Sequence, residues 1–228
     1  MEKLIRKLFV AATFVAAVAL SAAAQARIVT VDFDDPNLTG LYFAGDSFNQ
    51  SGFKMTVDVD FGTVDVAAAL GPAAPSGDAT PFYFQANDGG LIVEREDGDV
   101  FDLVGFSAAF VPLIPPSPLT TAIVAVGLDV HGGFVGVGWL FAPAVNNVYP
   151  FATYDDPLDF AGFKDMVFIE FFSCSVVGGQ LCTAPTENDG QFALDNIQLS
   201  VPEPGSVALV MLAMLALGMT MTARRRLG

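Results

Sequence analysis

Phe53-Lys54-Met55-Thr56-Val57-Asp58-Val59-Asp60-Phe61 alternates apolar and polar side chains without a break. Successive residues of an extended chain point to opposite faces, so this period of two predicts a β-strand with one face in a core and the other in water. Upstream, Ile28 to Asp34 repeats the pattern, with Val29, Val31 and Phe33 inward and Thr30, Asp32 and Asp34 outward. Further strands are expected over 81–86, 91–95, 100–111, 121–130, 134–142, 166–173 and 191–200. Turn-forming runs separate them: Asn87-Asp88-Gly89-Gly90, Glu96-Asp97-Gly98-Asp99 and Asn188-Asp189-Gly190. Residues 70–80 and 111–118 read as Pro-, Gly- and Ala-rich loops. The nearest approach to an amphipathic helix, residues 64–70, is cut short by Gly71-Pro72. Short strands with regular turn signals predict an all-β fold, an antiparallel β-sandwich or jelly roll.

The two ends follow different rules. Lys3, Arg6 and Lys7 precede an apolar run from Leu8 to Leu20 and a small-residue Ala24-Gln25-Ala26 site. Those are the three parts of a secretory signal peptide, and the run is shorter than the ~20 residues a spanning helix needs. Cleavage is expected after Ala26. At the other end, Gly205 to Ala223 carries no charge and is long enough to cross a bilayer. Arg224, Arg225 and Arg226 follow it and are expected to stay cytoplasmic. The chain therefore divides into a signal peptide (1–26), a β-sandwich domain (27–200) and a C-terminal segment (201–228).

Pro202-Glu203-Pro204, the apolar span and the three arginines together resemble the PEP-CTERM sorting signal of exported bacterial proteins. That resemblance implies an exosortase as processing partner, transient residence in the inner membrane, and removal of the tail. It also implies a destination at the cell surface or in the extracellular matrix of an exopolysaccharide-producing Gram-negative bacterium.

Residues 27–203 hold only Arg27, Lys54, Arg95 and Lys164 as basic groups against 24 acids, a net charge of −20. Such a field repels nucleic acid, anionic lipid and acidic polysaccharide, and attracts divalent cations. Cys174 and Cys182 are the two cysteines. In an oxidising compartment so close a pair is expected to form a disulfide.

Catalytic signals are sparse. His131 is the single histidine, set between Asp129-Val130 and Gly132-Gly133, where a turn is expected, and no G-x-S-x-G accompanies it. No H-E-x-x-H, P-loop or dinucleotide-binding pattern occurs. Glu170, between Ile169 and Phe171, is the acid best placed for a raised pKa, but strand alternation lets it face solvent. No catalytic residue is assigned, and the protein is expected not to be an enzyme.

Calcium is the better chemical expectation, because clustered aspartates supply hard oxygen ligands. In 191–200 the apolar phase runs Phe192, Leu194 and then Ile197, Leu199, so a bulge or an inward aspartate is expected at Asp195-Asn196. Phe192-Ala193-Leu194-Asp195-Asn196-Ile197, with Val31-Asp32-Phe33-Asp34 upstream, resembles the closing and opening strands of jelly-roll carbohydrate-binding modules. That resemblance implies a structural calcium shared by Asp195 with Asp32, Asp34 or the adjacent Asp35. Trp139, Tyr42, Tyr83, Tyr149 and Tyr154 are the candidate platforms for stacking sugars, although Trp139, in an apolar strand with Phe141, is expected to pack in the core instead. The function expected is a non-enzymatic cell-surface or matrix sandwich, with extracellular polysaccharide as a partner. A glycan hydrolase and a purely structural or adhesive calcium-binding component are the alternatives.

Overall fold

The structure is a computed structural model that describes residues 26–112, 120–177, 180–183 and 190–202. Residues 1–25 of the expected signal peptide, the apolar stretch 205–223 and Glu203, Pro204 and Arg224–Arg226 lie outside the described residues. Residues Ile28–Ser200 form one compact unit.

Fourteen strands are described: β1 (Arg27–Val31), β2 (Gly40–Phe43), β3 (Ser47–Gln50), β4 (Phe53–Val57), β5 (Phe61–Asp65), β6 (Phe82–Gln85), β7 (Gly90–Arg95), β8 (Asp102–Phe110), β9 (Thr121–Asp129), β10 (Phe134–Leu140), β11 (Ala152–Tyr154), β12 (Met166–Val177), β13 (Gln180–Thr183) and β14 (Phe192–Val201). One short helix, α1 (Ala67–Leu70), precedes a 3₁₀ turn at Gly71–Ala73. The first sheet runs β11-β8-β14-β6-β5-β2, with β1 also on β14; the second runs β10-β9-β12-β7-β4-β3, with β13 on β12. Each pairing along both paths is antiparallel. The expected all-β sandwich is what forms.

Rings meet between the sheets. Phe106 of the first sheet lies 5.1 Å from Trp139 and 5.2 Å from Phe171 of the second. At the other end Phe48 lies 6.2 Å from Tyr83. Phe53, Met55, Val57, Leu91, Val93, Ile123, Ala125, Ile169 and Phe171 are buried on the inner face of the second sheet, as alternation requires.

The stretch 53–61 is not one strand. It pairs with β7 up to Val57, then leaves the second sheet and enters the first at Phe61, where it pairs with β6 and β2. Asp60 sits at φ +59° in the crossing and Val59 is exposed. The crossing gives up ladder hydrogen bonds, and Gln85 replaces them. Fully buried, its amide nitrogen reaches the carbonyls of Val59 (3.0 Å), Phe61 (3.1 Å) and Ala86 (3.1 Å), while its Oε1 accepts from the Tyr83 hydroxyl. Gly62 and Gly89 leave the room: a Cβ at Gly62 would stand 2.3 Å from the Tyr83 hydroxyl, and one at Gly89 2.1 Å from Gln85 Nε2.

The 28–34 strand also ends early, at Val31. Phe33 adopts φ +56°, a costly conformation for a bulky side chain. Its buried ring holds it there, 6.0 Å from Tyr83 and 6.2 Å from Phe48, together with its N–H donating to Gln50 Oε1 at 3.0 Å.

Candidate functional site

Two places combine unusual chemistry with access to solvent, one on the outer face of each sheet. On the first sheet, alternation along β14 puts Phe192 and Leu194 inward and Ala193 and Asp195 outward. The phase switch at Asp195-Asn196 is a bulge: the register against β8 shifts after Asp195, and Asn196 adopts φ +49°. Asp195 is nonetheless 1% exposed. Residues 67–80 cover that face. Ala67, Leu70 and Ala73 pack on Phe82, Phe84, Ala109 and Ala193, and Ser76 ties the segment down by donating to the Tyr149 carbonyl (3.0 Å) and accepting from Phe151 N–H (2.8 Å).

Beneath this cover Asp195 meets Asp78. Asp195 Oδ2 accepts from Asn196 Nδ2 at 2.6 Å, but its buried Oδ1 has no hydrogen-bond donor. Burial first, then the hydrogen bond to Asp78 and the charges of Asp78 and Asp34, push the Asp195 carboxyl up to about 9, against an opposing bond from the Asn196 backbone. Asp78 moves the other way. Burial opposes its ionisation, but hydrogen bonds from Asp195, from the Thr80 hydroxyl (2.7 Å) and from the Thr80 N–H (2.9 Å) hold it below the usual carboxylate range. Asp34, though exposed, is raised first by desolvation and then by the charges of Asp32 and Asp78.

The aspartates named from sequence are thus only partly united. Asp34 faces the Asp195–Asp78 pair. Asp32 Oδ1 accepts from Gln50 Nε2 at 2.7 Å and from Asp34 N–H at 3.3 Å. Asp35 caps the 3₁₀ turn Pro36–Leu38, accepting from the Asn37 N–H (2.9 Å) and Nδ2 (2.7 Å). Asp78 went unread because it stands in a Pro-Gly-Ala loop, where an isolated aspartate is ordinary turn chemistry. The orphaned Asp195 Oδ1 is what a bound cation would satisfy. Yet among the described residues no group of three or more His, Cys, Asp or Glu side chains is placed to hold a metal ion. The residues therefore fit a calcium poorly, and no step is assigned to one.

On the second sheet the outer face is partly covered: Ala122, Val124 and Cys174 are buried on it with Phe172 and Val176 packed against them, and Phe168 and Glu170 stand half-buried beside that cluster. Strand register aligns one row as Phe134, Leu128, Phe168, Glu94, Lys54 and Asn49, and the next as Gly136, Val126, Glu170, Ile92, Thr56 and Ser47. Phe168, Glu170 and Phe172 stand half-buried in line along β12, apolar towards β9 and β10, polar towards β4 and β3. Burial, and secondarily the Asp58 charge, raise the Glu170 carboxyl.

The other sequence candidates are accounted for by packing. Tyr83 is fully buried, and Trp139 and Tyr149 are nearly so. Trp139 Nε1 donates to Asp159 Oδ2 at 2.8 Å. Tyr42 and Tyr154 spend their hydroxyls on the carbonyls of Leu38 (2.7 Å) and Leu140 (3.0 Å). None of the five is a free platform. His131 lies in the turn after β9, its N–H donating to Asp129 Oδ1 at 2.7 Å. Cys174 is buried on β12, and β13 runs beside it with Ser175 opposite Thr183 and Val177 opposite Gln180. The two cysteines thus lie on neighbouring strands, and the Cys182 side chain is outside the described residues.

No protein-family model matches this sequence, and no curated protein does. Among solved structures the fold is similar to a DUF4465-family protein from Bacteroides caccae, at 13% identity over 76% of this chain and 98% of that one, with a TM-score of 0.51. A family 11 carbohydrate-binding module from Clostridium thermocellum, in complex with a mixed-linked tetrasaccharide, aligns at 13% identity over 79% and 97% of the two chains, with a TM-score of 0.34. A xylan-binding domain from Paenibacillus barcinonensis aligns at 10% identity over 80% and 99%, at 0.31. The first likeness shows the fold; the TM-scores of the other two are too low to argue from.

Proposed function

We propose that this chain is an exported, non-enzymatic β-sandwich that holds neutral polysaccharide on the outer face of its second sheet. The observation that carries this reading is the line Phe168, Glu170, Phe172 on β12, partly open to solvent between an apolar and a polar half of that sheet. Phenyl faces stack on the C–H side of a pyranose, and Glu170, Glu94 and Asn49 offer hydrogen-bond partners to its hydroxyls. The body's net charge of −20 selects against acidic chains. The sequence pattern of 1–26 and 201–228 supports export, exosortase processing and a final place at the cell surface or in the matrix.

Affinity electrophoresis against neutral glucans, galactans and xylans tests this. Phe168→Ala is expected to weaken retardation by about tenfold, which corresponds to ~1.4 kcal/mol, with little change in melting temperature. Phe172→Ala, whose ring packs on buried Ala122, Val124 and Cys174, is expected to weaken retardation and to lower the melting temperature as well. Unchanged retardation in the double variant would remove the ligand from this face. Glu170, raised and beside Asp58, also favours a second reading as a glycosidase acid. In that case Glu170→Gln abolishes turnover of a glycan that the variant still binds.

A further inference from the structure

We propose that the segment Ala67–Thr80 is a pH-released strap, seated on the outer face of the first sheet by a proton shared between Asp78 and Asp195. Two carboxylates that are both ionised have only acceptors to offer each other, so a hydrogen bond between them requires a proton. Asp195 Oδ1 is buried with no donor, and Asp78 is the carboxyl in hydrogen-bonding reach of that side chain. The charges acting on the pair are all negative: Asp34 and Asp78 on Asp195, with Asp32 in turn acting on Asp34. No lysine, arginine or histidine is among the groups that act on the pair. Thr80 and Asn196 supply the remaining hydrogen bonds, which makes Asp78 the natural acceptor and Asp195 the proton holder.

The pair joins two elements that could otherwise part. Asp195 belongs to β14 in the sheet interior; Asp78 belongs to the covering segment. The rest of the hold is small: Ala67, Leu70 and Ala73 against Phe82, Phe84, Ala109 and Ala193, plus the Ser76 backbone pair with Tyr149 and Phe151. When the proton leaves, the buried Asp195 carboxylate and the half-exposed Asp78 carboxylate face each other with like charge, and the cheapest relief is to lift the strap into water. Lifting it uncovers Phe82 and Phe84, an apolar patch on an otherwise acidic protein. In the closed state Asp195 keeps its proton to about pH 9, and in the open state it titrates as an ordinary solvated acid. The open population therefore grows as pH rises between those two values, by up to about tenfold per pH unit.

Elastase, which cuts beside small apolar residues, reads the opening in this alanine-rich strap. The full chain is digested between about pH 6 and pH 9 beside Asp195→Asn and Asp78→Asn, and cuts are mapped by mass spectrometry. Either amide donates the missing hydrogen bond at every pH, so the variants hold the strap closed and cancel the protease's own pH profile. The expected result is a wild-type-to-variant ratio of strap cleavage that climbs by up to about tenfold per unit, unaltered by EDTA or millimolar calcium. A ratio flat in pH would overturn the shared proton. So would cleavage suppressed by calcium, which would assign the same carboxyls to a cation.

Discussion

Asp195→Asn is expected to stabilise the protein at about pH 8, by roughly 3 kcal/mol, a discounted fraction of the full pKa shift at 1.36 kcal/mol per unit. In a domain of this size that is a rise of several degrees in melting temperature. Replacing a buried acid by its amide keeps shape and volume. The amide NH₂ donates to Asp78 and the amide oxygen accepts from Asn196 Nδ2, as the protonated acid does. What disappears is the cost of either holding a proton far above the ordinary carboxyl range or burying a charge beside Asp78. The folded-state pKa lies above the unfolded one, so the wild-type contribution is fully present below about pH 4 and is lost as pH climbs towards 9. Melting curves in EDTA should therefore show the wild type falling behind the variant as pH rises, and the two converging towards about pH 4. Equal slopes for both proteins would show that Asp195 does not titrate in this window. Asp195→Ala separates charge from fit: it removes the acid but strands the Asn196 amide and the Asp78 carboxyl, so it gains less than the asparagine or loses outright.

The two-sheet fold was legible because its strands are half-buried and each face needs one kind of residue. Phe53 to Val57 and Phe192 to Leu194 declare their faces by alternation alone. The sheet change at Asp58–Asp60 was not legible, because period-two alternation continues through it: Val59 keeps the phase although it points into solvent. What marks the crossing is Gln85, a buried amide 26 residues from Val59 and 24 from Phe61, whose role depends on tertiary contacts. β2, β3 and β11 are only three or four residues long, too short to show a period.

The acidic site was half legible for the same reason. A break in phase at Asp195 signals a residue that does not fit the strand's pattern, and the bulge with its buried carboxyl is the result. Nothing in Ser76-Gly77-Asp78-Ala79-Thr80 announces that Asp78 would be its partner, since the local hydrogen bonds to Thr80 are those of any Asx turn. The apolar strand around Trp139 already favours core packing over stacking, and the tyrosines follow it, although Tyr and Trp carry a polar atom that suits an exposed role. Here each of Tyr42, Tyr83, Tyr154 and Trp139 finds an internal acceptor instead, and the plainer Phe168 and Phe172 are left at the surface.

Phe106→Ala is expected to cost about 3–5 kcal/mol, the range for deleting a buried phenyl ring that its surroundings cannot replace. Phe106 is fully buried on β8 and stands at the centre of a ring cluster: Trp139 at 5.1 Å, Tyr154 at 5.1 Å, Phe171 at 5.2 Å and Phe160 at 6.0 Å. Three of these contacts are edge-to-face, the preferred geometry for aromatic pairs. The cavity cannot close by local collapse, because its walls are pinned by hydrogen bonds: Trp139 to Asp159, Tyr154 to the Leu140 carbonyl. Phe106→Leu fills most of the space and should recover over half of the loss. Phe134→Ala is the control: 78% exposed, it should change stability by no more than about 0.5 kcal/mol. Denaturant melts of the three variants, with the slope unchanged from wild type, would attribute the difference to this cluster. A loss at Phe106→Ala no larger than at Phe134→Ala would mean that the sheets are held together elsewhere, with the Phe33–Phe48–Tyr83 rings the next to test.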